Sequence, residues 1–307
     1  MEIDTKDNTG ATGLMWAVEG NHEAMVELLL NKGADIDTQD DFHNTVLQAA
    51  CVKGHEAVVR LLLEKGADIN VHGGYFGSEF QAACFRGDEA MVKLLLEKGA
   101  DIDAQSGLKG SALQIGDEAA VELLLQTGKV NFDSRDNAGR TLLSYAAGHA
   151  NTAAVKTLLQ TYQADPNSKD NNNRTPLSWP AKCKNAVAVD ILLKTGRAEV
   201  DSRDVNGRTP LSWAAKFNRP AIVQLLLETG RVEVDSRDKY GRTPLLHAAI
   251  CGSLEAVEAL LETEKVQVDL RDVDDRTALS WAAEYGHLEL IEILLKTTKA
   301  KVDLRDA

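Results

Sequence analysis

An internal period of 33 to 34 residues constrains this chain more than any other feature. Aligned on the Thr or Ser that opens each unit, the repeats begin at Thr12, Thr45, Ser78, Ser111, Thr141, Thr175, Thr209, Thr243 and Thr277. The steps are 33, 33, 33, 30, 34, 34, 34 and 34, so nine units cover nearly all 307 residues. A repeat of this length is one supersecondary element that cannot bury its own apolar face, so neighbours must stack to make a core.

The unit that starts at Asp204 shows the grammar. DVNG is a turn with Gly207 at its tip. Thr209 then Pro210 pairs an N-cap with a proline at the first helical position, where the missing N–H costs nothing. Ala214 and Ala215 in LSWAA are small enough for close helix packing. Pro220 opens a second helix, whose Ile222, Val223, Leu225, Leu226 and Leu227 give a broad apolar face. Gly230 ends it. RVEVDSRD alternates like a short extended arm leading to the next turn.

These units resemble ankyrin repeats. The matching stretches read GRTPLSWAA (207–215), GRTPLLHAA (241–249), GHEAVVRLLLEKGADIN (54–70) and GDEAMVKLLLEKGADID (87–103). The resemblance implies an all-α solenoid of stacked repeats, each a helix-turn-helix plus a β-hairpin-like turn, forming one domain over 1–307. Nine units at about 10 Å per stacked pair give a curved rod on the order of 90 Å long. The histidine of the family's TPLH is replaced by Gln48, Gln81, Gln114, Ser144, Ser178, Ser212 and Ser280, which removes its usual hydrogen bond but not the fold. Units two to four use QAAC-like text and units five to nine D-S-R-D…GRTPLSWAA. Both dialects resemble arrays that follow nucleotide-binding modules in fungal NACHT- or NLR-like receptors.

Units four to seven depart from the pattern. Unit four, opening at Ser111, lacks four residues where its first helix belongs, and unit six places Pro180 inside its first helix. An interior proline costs roughly 3 kcal/mol, so mid-array is the expected weak stretch. Between the helices, glycine gives way to Ala150, Lys184 and Asn218, and a left-handed backbone would cost most at the lysine. The chain starts and stops inside the repeat grammar, with EIDTKDNTG as the first turn and KVDLRDA as the turn that would open a tenth unit. It therefore reads as a segment of a longer array or multidomain protein.

Composition narrows the function classes. No stretch reaches the roughly 18 apolar residues of a membrane helix, and the N-terminus lacks the features of a secretory signal. Cys51, Cys84, Cys183 and Cys251 form no C-x-x-C pair; the first two share one repeat position and the last two another, in different repeats and too far apart to bridge. They read as reduced thiols in a cytoplasmic or nuclear protein. Residues 1–140 hold 12 Lys and Arg against 24 Asp and Glu, a net of −12, while 141–307 hold 22 against 23, a net of −1. Neither half is basic, which argues against nucleic acid, and the acidic half suits a basic partner.

Catalytic chemistry finds little support. His22, His55 and His287 begin second helices, a structural position, and no H-E-x-x-H, phosphate-binding loop or G-x-S-x-G elbow occurs. No metal ligand set and no cofactor motif is read, and the chain is expected not to be an enzyme. Trp16, Trp179, Trp213 and Trp281 share one repeat position with Tyr145 and His247, which fits a packing slot between repeats. Columns of Arg and Asp along the turns (Arg203, Arg237 and Arg271 beside Asp204, Asp238 and Asp272, with Arg208, Arg242 and Arg276) read as a lattice between neighbouring turns.

The display positions carry the functional signal. Partner contact in ankyrin proteins runs over turn tips and the ends of first helices, on the concave face. The tips hold Phe42, Tyr75, Leu108, Val205, Tyr240, Val273 and Asp274, and the helix ends Phe85, Arg86, Lys216, Phe217, Ile250 and Tyr285. Six of the eleven Phe and Tyr fall here, where the core does not need them. Aromatics with Arg favour interface centres. The expected function is a protein-binding scaffold; the rival is a targeting arm of a larger enzyme or signalling NTPase whose catalytic domain is outside this chain.

Overall fold

With the helix that begins at Ser178 excepted, each described first helix starts where a Thr or Ser side chain takes up an amide that the helix cannot satisfy. In the computed structural model, Thr45 Oγ1 accepts from Gln48 N at 3.0 Å and Ser78 Oγ from Gln81 N at 3.2 Å. Thr12, Thr141, Thr209, Thr243 and Thr277 cap in the same way. The structure describes residues 2–42, 44–102, 118–128, 131–149 and 151–305, apart from the side chains of 118 and 298–305. The fourth unit's opening at Ser111, with its shortened first helix, lies outside the described residues, as do Leu108 and Ala150.

The chain divides into two compact units, Met1–Asn137 and Ala138–Ala307. The first holds α1 (Gly13–Glu19), α2 (Glu23–Asn31), α3 (Val46–Lys53), α4 (Glu56–Glu64), α5 (Glu79–Arg86), α6 (Glu89–Glu97) and α7 (Glu118–Gln126). The second holds α8 (Leu142–Gly148), α9 (Thr152–Gln160), α10 (Ser178–Cys183), α11 (Ala186–Lys194), α12 (Pro210–Lys216), α13 (Pro220–Glu228), α14 (Pro244–Cys251), α15 (Leu254–Leu261), α16 (Ala278–Glu284) and α17 (Leu288–Arg305).

Within each unit, like packs on like. First helices stack on first helices (α1 on α3 on α5; α8 on α10 on α12 on α14 on α16), and second helices on second helices (α9 on α11 on α13 on α15 on α17). The core between them is Leu and Val from second helices, such as Val223 and Leu226, against the Ala pairs of first helices, such as Ala214 and Ala215, all fully buried. Polar side chains at the start of second helices tie one repeat to the one before. His55 Nε2 lies 3.2 Å from Glu19 O, Asn185 Nδ2 donates to Ala147 O at 2.8 Å, and Ser253 Oγ donates to Lys216 O at 3.1 Å. The structural role expected of His55 is thereby filled.

Three local expectations need correction. The arm RVEVDSRD is not a strand; among the described residues β pairing is confined to isolated bridges such as Gln39–Thr45 and Gly73–Gly77. Amides that a strand would give to carbonyls go instead to acidic side chains one repeat earlier, as Glu233 N to Asp201 Oδ2 at 2.9 Å and Gln267 N to Asp235 Oδ2 at 3.1 Å. Pro180 does not interrupt a helix. α10 starts only at Ser178, after a turn closed by Ser178 N on Thr175 O at 2.9 Å, so Pro180 lies in the first turn where no intrahelical bond is lost. Nor is KVDLRDA a turn at its start, since α17 runs on to Arg305. Where Gly230 turns left-handed at φ 65° and stops α13, the equivalent place after α17's apolar run is Thr298, which offers no such stop. The linker before α11 does match expectation: Lys184 adopts φ 72°, the left-handed state that Gly54 adopts at φ 77° in the equivalent place.

Candidate protein-binding face

The turns are built by aspartate. Asp238 Oδ1 accepts from Tyr240 N at 2.8 Å and Arg242 N at 2.9 Å, and Asp238 N closes the turn on Arg242 O at 3.0 Å. Asp204 and Asp272 repeat the arrangement, and Asp40 does so for Phe42 N at 2.9 Å and Asn44 N at 2.8 Å. Neighbouring tips are joined through backbone: Val205 N to Asn172 O, Lys239 N to Asn206 O and Val273 N to Tyr240 O, at 2.9 to 3.0 Å. A turn held at both carboxylate and backbone has little freedom, so what it carries at the tip is presented in a fixed place.

The charge columns form the lattice expected of them. Arg203 Nη1 donates to Arg237 O at 2.6 Å and Arg237 Nη1 to Arg271 O at 2.7 Å. Arg208 Nε stands 3.7 Å from Asp238 Oδ2, and Arg242 Nε 3.6 Å from Asp272 Oδ2. Burial alone would raise the Asp238 carboxyl, but bonds from His247 and from the Arg242 and Tyr240 amides outweigh it and hold it below its ordinary range. Burial pushes the His247 imidazole down despite its 2.9 Å contact with Asp238.

Between these layers runs the ring column. Arg174 lies 4.1 Å over Trp179, Arg208 5.1 Å over Trp213, and Arg242 and Arg276 sandwich Trp281 at 5.0 and 4.4 Å. Such stacking supports the packing-slot reading for Trp179, Trp213 and Trp281. Trp16 departs from it, being 53% exposed with Nε1 bonded to Asp7 Oδ2 at 3.0 Å. The Arg that sits five residues before each of the other three rings is Ala11 here, a signal the sequence did carry.

The candidate contact residues fall into two groups. Phe42 (70% exposed), Tyr75, Phe85, Arg86, Val205, Tyr240, Val273 (66%), Asp274 and Tyr285 are exposed, whereas Lys216, Phe217 and Ile250 are half-buried. Phe217 stacks on Trp213 with centroids 5.7 Å apart and Lys216 Nζ lies 5.7 Å over its ring. Ile250 sits under His287, whose Nε2 is 3.5 Å from its carbonyl. Arg86 donates through Nη1 to Val52 O of the preceding repeat at 2.6 Å, so it braces the stack as well as facing solvent. In the first unit Tyr75 meets Phe76 edge-on at 5.0 Å and Phe76 meets Phe85 at 5.1 Å. The sequence reading passed over Phe76, although GGYFG places it beside Tyr75 in an unusual turn.

The family model for ankyrin repeats (3 copies) matches residues 1–72, 80–170, 150–238 and 230–306. The chain belongs to the ankyrin repeat family. Ankyrin repeats are in general protein–protein interaction modules and typically non-catalytic. No curated protein matches the chain. Among the described residues of this ankyrin protein, no three His, Cys, Asp or Glu gather as a metal site, and no helix is long and apolar enough to cross a membrane. All four cysteines are thiols, Cys51 and Cys84 buried, Cys183 and Cys251 exposed.

Proposed function

We propose that this ankyrin array holds a partner protein on its turn tips and the C-terminal ends of its first helices. The observation that carries the reading is the solvent-facing apolar and aromatic side chains at these places within each unit, Phe42 and Tyr75 in Met1–Asn137 and Val205, Tyr240, Val273 and Tyr285 in Ala138–Ala307. Exposed rings cost solubility unless something covers them, and a covered aromatic anchor contributes about 2 kcal/mol or more to binding.

Tyr240 and Tyr285 make the cleaner test pair, because both are exposed while Phe217 is half-buried, although Tyr285 stacks on Trp281 at 5.9 Å as Phe217 does on Trp213. With a partner crosslinked and purified from the source cell, Tyr240→Ala with Tyr285→Ala should weaken binding roughly thirtyfold or more while leaving the melting transition nearly in place. Leu226→Ala, at a fully buried core position, should instead destabilise by about 2–5 kcal/mol. Unchanged binding of that partner to the tyrosine variant would place recognition on another face.

A further inference from the structure

The turn that holds Tyr75 closes a small cavity of about 220 Å³ against α1 and α3. That is below the roughly 300–1,000 Å³ of small-molecule sites and is room for one large side chain. Gln48 lines it while only 1% exposed. Its Nε2 donates to Gly73 O at 2.9 Å, which fixes the amide, and its Oε1 is buried with no hydrogen-bond partner. A buried acceptor left unsatisfied is costly and asks for a donor.

Of the other polar lining groups, Asp40, Asn44 and Glu19 offer acceptors and Lys53 alone is a cation, so the carboxylates outnumber it. Asn44 spends its amide nitrogen on Asp40 Oδ2 at 2.9 Å, leaving Oδ1 as an acceptor. Glu19 on α1 meets Lys53 only loosely, at 3.7 Å and partly exposed. Apolar walls come from Met15, Val52 and the rings of Tyr75 and Phe76. Gly74 makes the close approach possible: at φ +65° a Cβ there would come within 2.7 Å of Gln48 Oε1.

We propose that this cavity receives the arginine side chain of a partner peptide. A ligand that satisfies it must bring several donors, a positive charge and an apolar stem that lies along rings. Arginine meets all three, with five N–H groups in a planar fork and a guanidinium that stacks on aromatics, where lysine offers a compact, strongly hydrated point charge. The net charge of −12 over residues 1–140 draws a basic segment toward this side of the chain.

The pocket rests on the protein-binding reading, and its test separates the two. The ¹⁵N-labelled full chain is titrated with acetyl-Gly-Arg-Gly-amide and with the same peptide carrying citrulline, which keeps the shape and loses the charge. Saturable shifts at Gln48, Tyr75 and Phe76 are expected, with citrulline at least about tenfold weaker. Gln48→Leu should weaken arginine binding about tenfold. If Gln48→Leu disturbs the fold, Tyr75→Ala, at an exposed position, should still weaken binding severalfold. Equal binding of the two peptides, shifts centred elsewhere, or no saturation at millimolar peptide would overturn the pocket. If that happens while a purified partner still needs Tyr240 and Tyr285, the protein-binding face stands and the arginine site alone falls.

Discussion

Glu79 occupies the first helical residue of α5, the place that Pro210 and Pro244 take in later repeats. It is fully buried, with Thr45 Oγ1 donating to Oε1 at 2.9 Å and Oε2 without a hydrogen-bond partner. Burial pushes its carboxyl from 4.5 up to about 7, with Asp68 and Asp37 adding to the rise and hydrogen bonds only partly opposing it. The folded state therefore keeps a proton that the unfolded state has already released. Stability tied to Glu79 is whole below pH 4.5 and is lost as pH rises to about 7, a loss of up to about 3 kcal/mol. Denaturation midpoints of the full chain across this window should fall with pH, and Glu79→Gln should flatten that fall. Parallel profiles for the two proteins would show that Glu79 is not the group responsible. In the sequence Glu79 looks like one more acid. The period does flag it, since the same column holds Val46, Leu142 and Ala278, all buried.

At the scale of the element, Pro180 shows how tertiary stacking overrides a local reading. Counting from Thr175 puts this proline inside a helix, yet α10 gives up its opening turn and begins at Ser178. The shortened helix keeps Pro180 and Ala181 buried and in register with α8 and α12. The cost is one lost turn rather than a broken bond, so Pro180→Ala should change stability by less than about 1 kcal/mol. A gain near 3 kcal/mol in chemical denaturation would mean that the proline is strained after all. Helix starts were legible because Thr and Ser caps are chemically specific. The arms were not, because alternation in RVEVDSRD reflects one side bonding to a neighbouring repeat, a pairing that mimics strand periodicity.

For the whole chain, the repeat made the fold legible from the sequence, and much of the candidate face followed from it. Tip residues such as Phe42 and Val273 could be foreseen as exposed because Asp-built turns leave them no core to enter. Phe217 and Ile250 could not, because their exposure depends on Trp213 and His287, rings that reach them through the fold. The cavity at Gln48 was also hidden, since it forms from three separate repeats. The central claim is that a partner lies across turn tips and first-helix ends. Hydrogen exchange of the full chain with and without its purified partner tests it most directly. Slowed exchange should map to the tips around Phe42, Tyr75, Val205, Tyr240 and Val273 and to the helix end at Tyr285, with α9, α11, α13 and α15 unchanged. Protection confined to those second helices, with the tips exchanging as before, would contradict the account.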